Sequence, residues 1–166
     1  SNLDDLLEAI STYVIRASAK LRHQKLVTGV ITIFIRTNHY DSPFDSQTAT
    51  SNLERPSNDT ALLLVIARKL TRQIFNPNYP PSKIGVLMQD LKSTKYLQQN
   101  LLIESNSEKQ KRRERLLKTV DSLNKRYGNG TVSWAACKLN QNWEMRRDHL
   151  SRAATTRIKE VPIVQA

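Results

Sequence analysis

The stretch Val27-Thr28-Gly29-Val30-Ile31-Thr32-Ile33-Phe34-Ile35-Arg36-Thr37-Asn38 is too rich in β-branched residues to prefer a helix. Its apolar side chains recur at every second position, Ile31, Ile33 and Ile35, which predicts a long strand over 27–38 with one face buried. Upstream, Leu3, Leu6, Leu7, Ile10, Tyr13, Val14, Ala17 and Leu21 recur at helical spacing and predict a helix over 3–22. Asp4, Asp5 and Glu8 suit its positive end, and Lys20 and Arg22 its negative end.

Downstream, residues 39–58 carry Pro43, Asp45, Asn52, Pro56 and Ser57, a loop signal interrupted by the polar run Ser46-Gln47-Thr48-Ala49-Thr50-Ser51. That run fits a solvent-facing strand. Leu62, Leu63, Ile66, Leu70 and Ile74 form one stripe of a second helix over 59–75, which Asn76-Pro77-Asn78-Tyr79-Pro80-Pro81 ends. Alternating Ile84, Val86 and Met88 predict a strand over 83–91. The order helix–strand–strand–helix–strand gives an α+β fold, two helices packed on one face of a mainly antiparallel sheet.

Beyond residue 96 the texture changes. Ser105 to Gln110 is polar and reads as a linker or cap, and Lys111 to Tyr127 is a basic helix with a narrow seam of Leu116, Val120, Leu123 and Tyr127. Gly128-Asn129-Gly130 reads as a turn, Thr131 to Ala135 as a short strand, Trp143 to Leu150 as a short helix, and the rest as an extended tail. Trp134 and Trp143 have rings suited to stacking on bases, but are expected to form a small core of their own within this appendage. The expected organisation is a folded domain over 1–96, a connecting peptide over 97–110 and a basic extension over 111–166.

The 166 residues carry a net charge of +11 and a single cysteine. One cysteine excludes an internal disulfide framework and a cysteine-based zinc site, and fits a reducing cytoplasm. No stretch approaches the roughly 18 apolar residues of a membrane helix, and the acidic start does not read as a signal peptide. The charge is uneven: residues 1–104 hold 12 basic and 9 acidic side chains, whereas residues 105–166 hold 14 and 6. Such a surplus attracts polyanions, chiefly nucleic acid or an anionic membrane surface.

No active site assembles from the sequence. His23, His39 and His149 lie far apart with no acid at ligand spacing, Cys137 has no activating partner, and Gly128-Asn129-Gly130-Thr131 lacks the glycine–lysine spacing of a phosphate loop. No catalytic residue and no metal site is expected. Binding features are present instead. Backbone amides and hydroxyls of the Ser46 run, with cations beside it, fit a phosphate grip that reads no sequence; a polar edge strand facing water fits equally well. The residues assigned to the grip are Arg36, Asn38, Ser46, Thr48, Thr50, Asn52, Arg55 and Lys83. Gln98-Gln99-Asn100-Leu101-Leu102 has the form of a docking peptide, two leucines for an apolar groove and an amide to anchor one end. Lys111, Arg112, Arg113, Arg115, Arg146 and Arg147 belong to a basic run that fits either a solvated face or a polyanion contact.

Taken together, these segments resemble the C-terminal part of a bacterial UmuC-type Y-family translesion DNA polymerase. Asn2-Leu3-Asp4-Asp5-Leu6 is similar to the first helix of that family's little-finger domain, and Val27 to Ile35 to one of its strands. Gln98, Gln99, Leu101 and Leu102 resemble its sliding-clamp-binding peptide, with Leu102 in place of the usual aromatic. Leu117 to Asn124, Gly128 to Val132, Trp143 to Arg147 and Thr155-Thr156-Arg157 fall in the order of the UmuC C-terminal extension. The chain departs from that pattern at Ser151-Arg152-Ala153-Ala154, where a proline and an aromatic are the rule.

The resemblance implies a little-finger sheet against primer–template DNA, a tether to the sliding clamp, and an extension that binds DNA or SOS mutasome partners such as UmuD′ and RecA. It implies that palm, fingers and thumb precede this region. Catalysis and its magnesium ions would belong to the palm, so no cofactor and no enzyme activity is expected of these residues. A strand ahead of Leu3 is implied too, leaving three of four strands here. The expected setting is DNA repair and SOS mutagenesis in the bacterial cytoplasm, with no membrane partner. A stand-alone basic adaptor for RNA or DNA is the alternative, and a small phosphotransfer enzyme or nuclease has no visible constellation to support it.

Overall fold

The computed structural model describes residues 3–37, 46–78, 81–96 and 107–137. The chain runs α1 (Leu3–His23), β1 (Leu26–Thr37), β2 (Ser46–Ser57), α2 (Thr60–Ile74), β3 (Pro81–Ser93), a short 3₁₀ turn (Thr94–Tyr96) and α3 (Ser107–Tyr127). The three strands form one antiparallel sheet in the order β2-β1-β3. This is the expected α+β arrangement, with the strand over Val27–Asn38 as its centre.

α1 buries Leu6, Leu7, Ile10, Val14 and Leu21, the stripe its spacing predicts. It ends where Lys25 takes a left-handed conformation (φ 57°), and the Lys25 N–H closes on the Arg22 carbonyl at 3.0 Å. α2 starts at Asp59, whose carboxylate accepts from the Ala61 N–H at 2.9 Å and the Leu62 N–H at 3.4 Å. A side-chain acceptor there satisfies amides that have no partner within the helix. The two helices are stitched by a buried hydrogen bond between the Ser18 and Thr60 hydroxyls at 2.8 Å.

Period-2 alternation in β1 divides the sheet into two unlike faces. Ile31, Ile33 and Ile35 are buried beneath the helices. Ile10, Val14, Leu63, Leu64, Ala67 and Leu70 join Ile31 and Ile33 in one core, with Ala49, Ile84, Val86 and Met88 packed at its margins. These marginal residues are the cross-strand partners of β1's buried isoleucines: Ala49 and Val86 flank Ile33, Ile84 flanks Ile35 and Met88 flanks Ile31. Residues directly opposite share a face. Val30, Thr32, Phe34 and Arg36 therefore lie on the other face, which no described helix covers.

α3 departs from its expected seam. Leu117 is its buried residue, whereas Leu116 and Tyr127 are 57% and 62% exposed. The register of the seam is rotated because α3 is seated by charge as much as by apolar burial. The Asp121 carboxylate accepts two bonds from Arg22, Nε at 2.6 Å and Nη2 at 2.8 Å, on the helix face next to Leu117. The segment Thr131–Ala135 is not a strand. Instead the Asn124 side-chain amide brackets the Val132 backbone, accepting from its N–H at 2.8 Å and donating to its carbonyl at 3.0 Å. One side chain thus substitutes for a strand partner. Trp134 and Ala136 pack against the main core rather than forming a second one. The predicted helix over 143–150 and the tail lie outside the described residues.

Candidate nucleic-acid interface

The face of the sheet turned away from the helices is built row by row from the register. Arg36 stands between Ser46 of β2 and Lys83 of β3; Phe34 between Thr48 and Gly85; Thr32 between Thr50 and Leu87; Val30 between Asn52 and Gln89. Six of the eight residues assigned to phosphate contact from the sequence, Arg36, Lys83, Ser46, Thr48, Thr50 and Asn52, therefore share this one face. Asn38 lies outside the described residues. Arg55 is placed elsewhere. Thr28 pairs with Ser57 but Val30 with Asn52, so residues 53–56 leave the ladder, and Arg55 lines a groove beside α1.

The rows have chemistry suited to a phosphate backbone. Arg36 and Lys83 are both exposed at one end of the face. Hydroxyls continue along β2, and the Thr32 and Thr50 hydroxyls meet at 2.9 Å, with the Gln89 side chain 3.0 Å from Thr32. Phe34 lies flat across Gly85: a Cβ built there would stand 2.3 Å from the ring, so glycine is needed for the ring to lie down. The Arg36 guanidinium sits 5.9 Å from the centroid of that ring, a cation–π approach that holds the cation over the face. Leu87, 49% exposed, is the apolar member of the surface. Phe34, Gln89 and Leu87 were missed from sequence as surface residues. Phe34 could have been found from the parity it shares with Arg36, but Leu87 and Gln89 needed the pairing register.

The basic extension divides along α3. Lys111, Arg112 and Arg115 are on the exposed side. Arg113 is exposed as well, but it pairs with Asp59 at 2.6 Å and so tethers the helix to the start of α2. Gln98, Gln99, Leu101, Leu102, Arg146 and Arg147 lie outside the described residues. Among the described residues no group of three His, Cys, Asp or Glu side chains could hold a metal ion, and no helix is long and apolar enough to cross a membrane. Cys137 lies 3.4 Å from the Thr12 hydroxyl, in a packing contact with α1.

Residues 1–101 match the impB/mucB/samB family C-terminal domain, and residues 114–164 match a domain of unknown function, DUF4113. The chain belongs to the impB/mucB/samB family. ImpB of Salmonella typhimurium is 29% identical over 164 residues, covering 98% of this chain and 38% of ImpB. UmuC of Salmonella typhimurium LT2 is 26% identical over 163 residues, covering 97% of this chain and 38% of UmuC. MucB of Escherichia coli is 30% identical over 164 residues, covering 97% and 38%. The chain thus spans under two-fifths of the length of these curated relatives, and the resemblance to the UmuC type is borne out. Within the family's C-terminal domain lie α1 to β3 and the open sheet face. Asp121 belongs to the second matched segment and Arg22 to the first, so their ion pair fastens one to the other.

Proposed function

We propose that this region is the DNA- and partner-binding C-terminal part of an error-prone translesion DNA polymerase of the UmuC type, acting in SOS repair and mutagenesis. It grips the primer–template backbone and tethers the enzyme to the sliding clamp. The observation that carries the reading is the row Ser46–Arg36–Lys83, two cations and a hydroxyl side by side on a face no described helix covers. Side chains of these types position a duplex through its phosphates without reading its bases, which suits a polymerase that must accept any template. Polymerisation itself belongs to the remainder of the longer relatives. A bacterial cytoplasmic setting goes with the same reading.

Titration of primer–template DNA at several salt concentrations tests it. Affinity should fall steeply with salt, and the double variant Arg36→Ala/Lys83→Ala should weaken binding at least about tenfold while lowering the log–log salt slope by about 2. Affinity independent of salt, or unchanged in the double variant, would reject the sheet face as the DNA contact. A preference for structured RNA over duplex DNA in competition would favour an RNA adaptor instead.

The clamp tether is proposed on sequence pattern, the polar end at Gln98 with Gln99 and the apolar pair Leu101 and Leu102. Leu101→Ala with Leu102→Ala should abolish association with the sliding clamp in titration calorimetry, and an undiminished heat of binding would remove the peptide from the proposal. UmuD′ and RecA are the further partners proposed for the extension.

A further inference from the structure

Behind the sheet, on the helical side of the domain, α1, the end of β2 and α3 enclose a groove of about 1540 Å³. Its lining includes Lys20, Lys25, Arg55, Lys109, Lys118 and Lys125. All six are exposed, and among the described residues none of them forms an ion pair. The acids of the lining are Asp59, Glu114 and Asp121. Two of these are already neutralised, Asp59 by Arg113 and Asp121 by Arg22, which leaves Glu114 against the six cations. Ile15, Leu62 and Val132 give the groove an apolar floor, and His23 is the aromatic ring among the described lining residues.

From this geometry we infer a second nucleic-acid site, a groove for a single strand, on the side of the domain opposite the sheet face. Lys118 and Lys125 lie on one side of α3 and Lys109 half a turn round from Lys118, so α3 supplies cations to the groove from both of its flanks, with Lys20, Lys25 and Arg55 also in the lining. Cations spread along the groove match a polymer that carries a charge on every unit. A single strand can turn its unstacked bases onto the apolar floor while its phosphates meet the cationic rims; a duplex keeps its bases inside and offers only phosphates on a convex surface. Of the lining amides, Asn58, Asn124 and Gln110 already hold partners, to Leu26, Val132 and Glu114, so contact to phosphate rather than base recognition carries the affinity. The chain's own residues 138–166 are a poor occupant, since they carry six basic against three acidic side chains and would be repelled. The site depends on α3 being docked, and it is independent of the duplex contact proposed for Arg36 and Lys83.

The test uses the full chain with labelled oligothymidylate and, in parallel, a labelled primer–template hairpin, followed by fluorescence anisotropy. Lys20→Glu/Lys118→Glu/Lys125→Glu should weaken oligothymidylate binding at least about tenfold and reduce its salt slope by about 2. The hairpin should change less than about twofold, and Lys→Arg at the same three positions should keep the affinity for both. Arg36→Ala/Lys83→Ala should show the reverse pattern, so failure of one site is separable from failure of the other. These lysines are exposed, so circular dichroism should be unchanged by the substitutions. Oligothymidylate affinity unaltered by the triple glutamate variant overturns the inference, as does an equal loss for the hairpin, which would indicate only a diffuse positive field. Displacement by polyglutamate at equal charge concentration would make the groove an acidic-peptide site. A tenfold gain in affinity on deleting residues 138–166 would make the tail its occupant. Either result overturns it.

Discussion

Ile33→Ala is expected to lower the stability of the domain by about 4 kcal/mol, within the range for truncating a fully buried isoleucine. Ile33 has no solvent exposure and sits on the central strand, flanked by Ala49 and Val86 and covered by both helices. Its position between two layers leaves little freedom for collapse, so the lost methylene contacts and the residual cavity both count. Urea unfolding followed by circular dichroism should show the midpoint fall by about 2 M, taking an m-value of about 2 kcal/mol/M. Val65→Ala on α2, at a side chain 69% exposed, should stay within about 0.5 kcal/mol and serves as the control. If Ile33→Ala behaved like that control, the division of the sheet into a buried and an open face would be wrong. The assignment of Arg36 and Lys83 to a DNA-facing surface would go with it.

Arg22→Ala should release α3 from the domain. The Arg22 side chain is only 12% exposed, and its guanidinium makes both bonds to Asp121 and donates from Nη1 to the Asn58 carbonyl and the Thr60 hydroxyl, each at 2.8 Å. Removing it leaves a partly buried Asp121 carboxylate without its cation and takes a donor from the Asn58 carbonyl and from the Thr60 hydroxyl, the latter keeping its bond with Ser18. The cost is expected near about 3 kcal/mol, the lower end for breaking a buried pair, because Asp121 is 30% exposed. Lysine at position 22 should recover only part of it, since a point-like ammonium cannot reproduce the two-pronged geometry. The measurement is hydrogen exchange of the α3 amides, which should accelerate in Arg22→Ala while those of β1 remain protected. Equal protection of α3 in both proteins would show that the ion pair does not seat the helix. Because the groove behind the sheet needs α3 in place, oligothymidylate affinity should fall in the same variant.

Much of this architecture is legible residue by residue. The β-branched run from Val27 and the helical stripe from Leu3 are strong local signals, since burial of one face imposes a period on the sequence. The structure extends the strand at Ser46 to Ser57 and the helix at Lys111 back to Ser107, because both ends are polar and carry little periodic signal. The seam of α3 was misread for a definite reason. Leu116 and Leu117 are adjacent apolar residues of similar helical preference, and the choice between them is made by Asp121, whose partner lies 99 residues away. Likewise Asn124 looked like an ordinary helix residue, and the strand-like text of Val132 was satisfied by that one amide rather than by a neighbouring strand.

The candidate site divides in the same way. Local alternation sufficed to place Arg36 on a solvent face, and the polar run at Ser46 announced a wet strand. Whether those two features and Lys83 stood together depended on which strands pair and in what register. Arg55 shows the risk of the local reading, since an irregularity between Asn52 and Ser57 carries it away from the face its chain neighbours occupy.

By itself, then, the sequence determined the number and kind of the first five elements, the two-faced central strand and the concentration of charge in the last third. Each follows from short-range spacing, composition or chain order. Only the tertiary structure decided that Ser46, Arg36 and Lys83 form one row, that Arg113 and Arg22 are tethers while Lys118 and Lys125 face an open groove, and that Trp134 joins the main core. Those outcomes rest on contacts between residues far apart in the chain, where an ion pair or a strand register selects one arrangement among several that the local pattern allows equally.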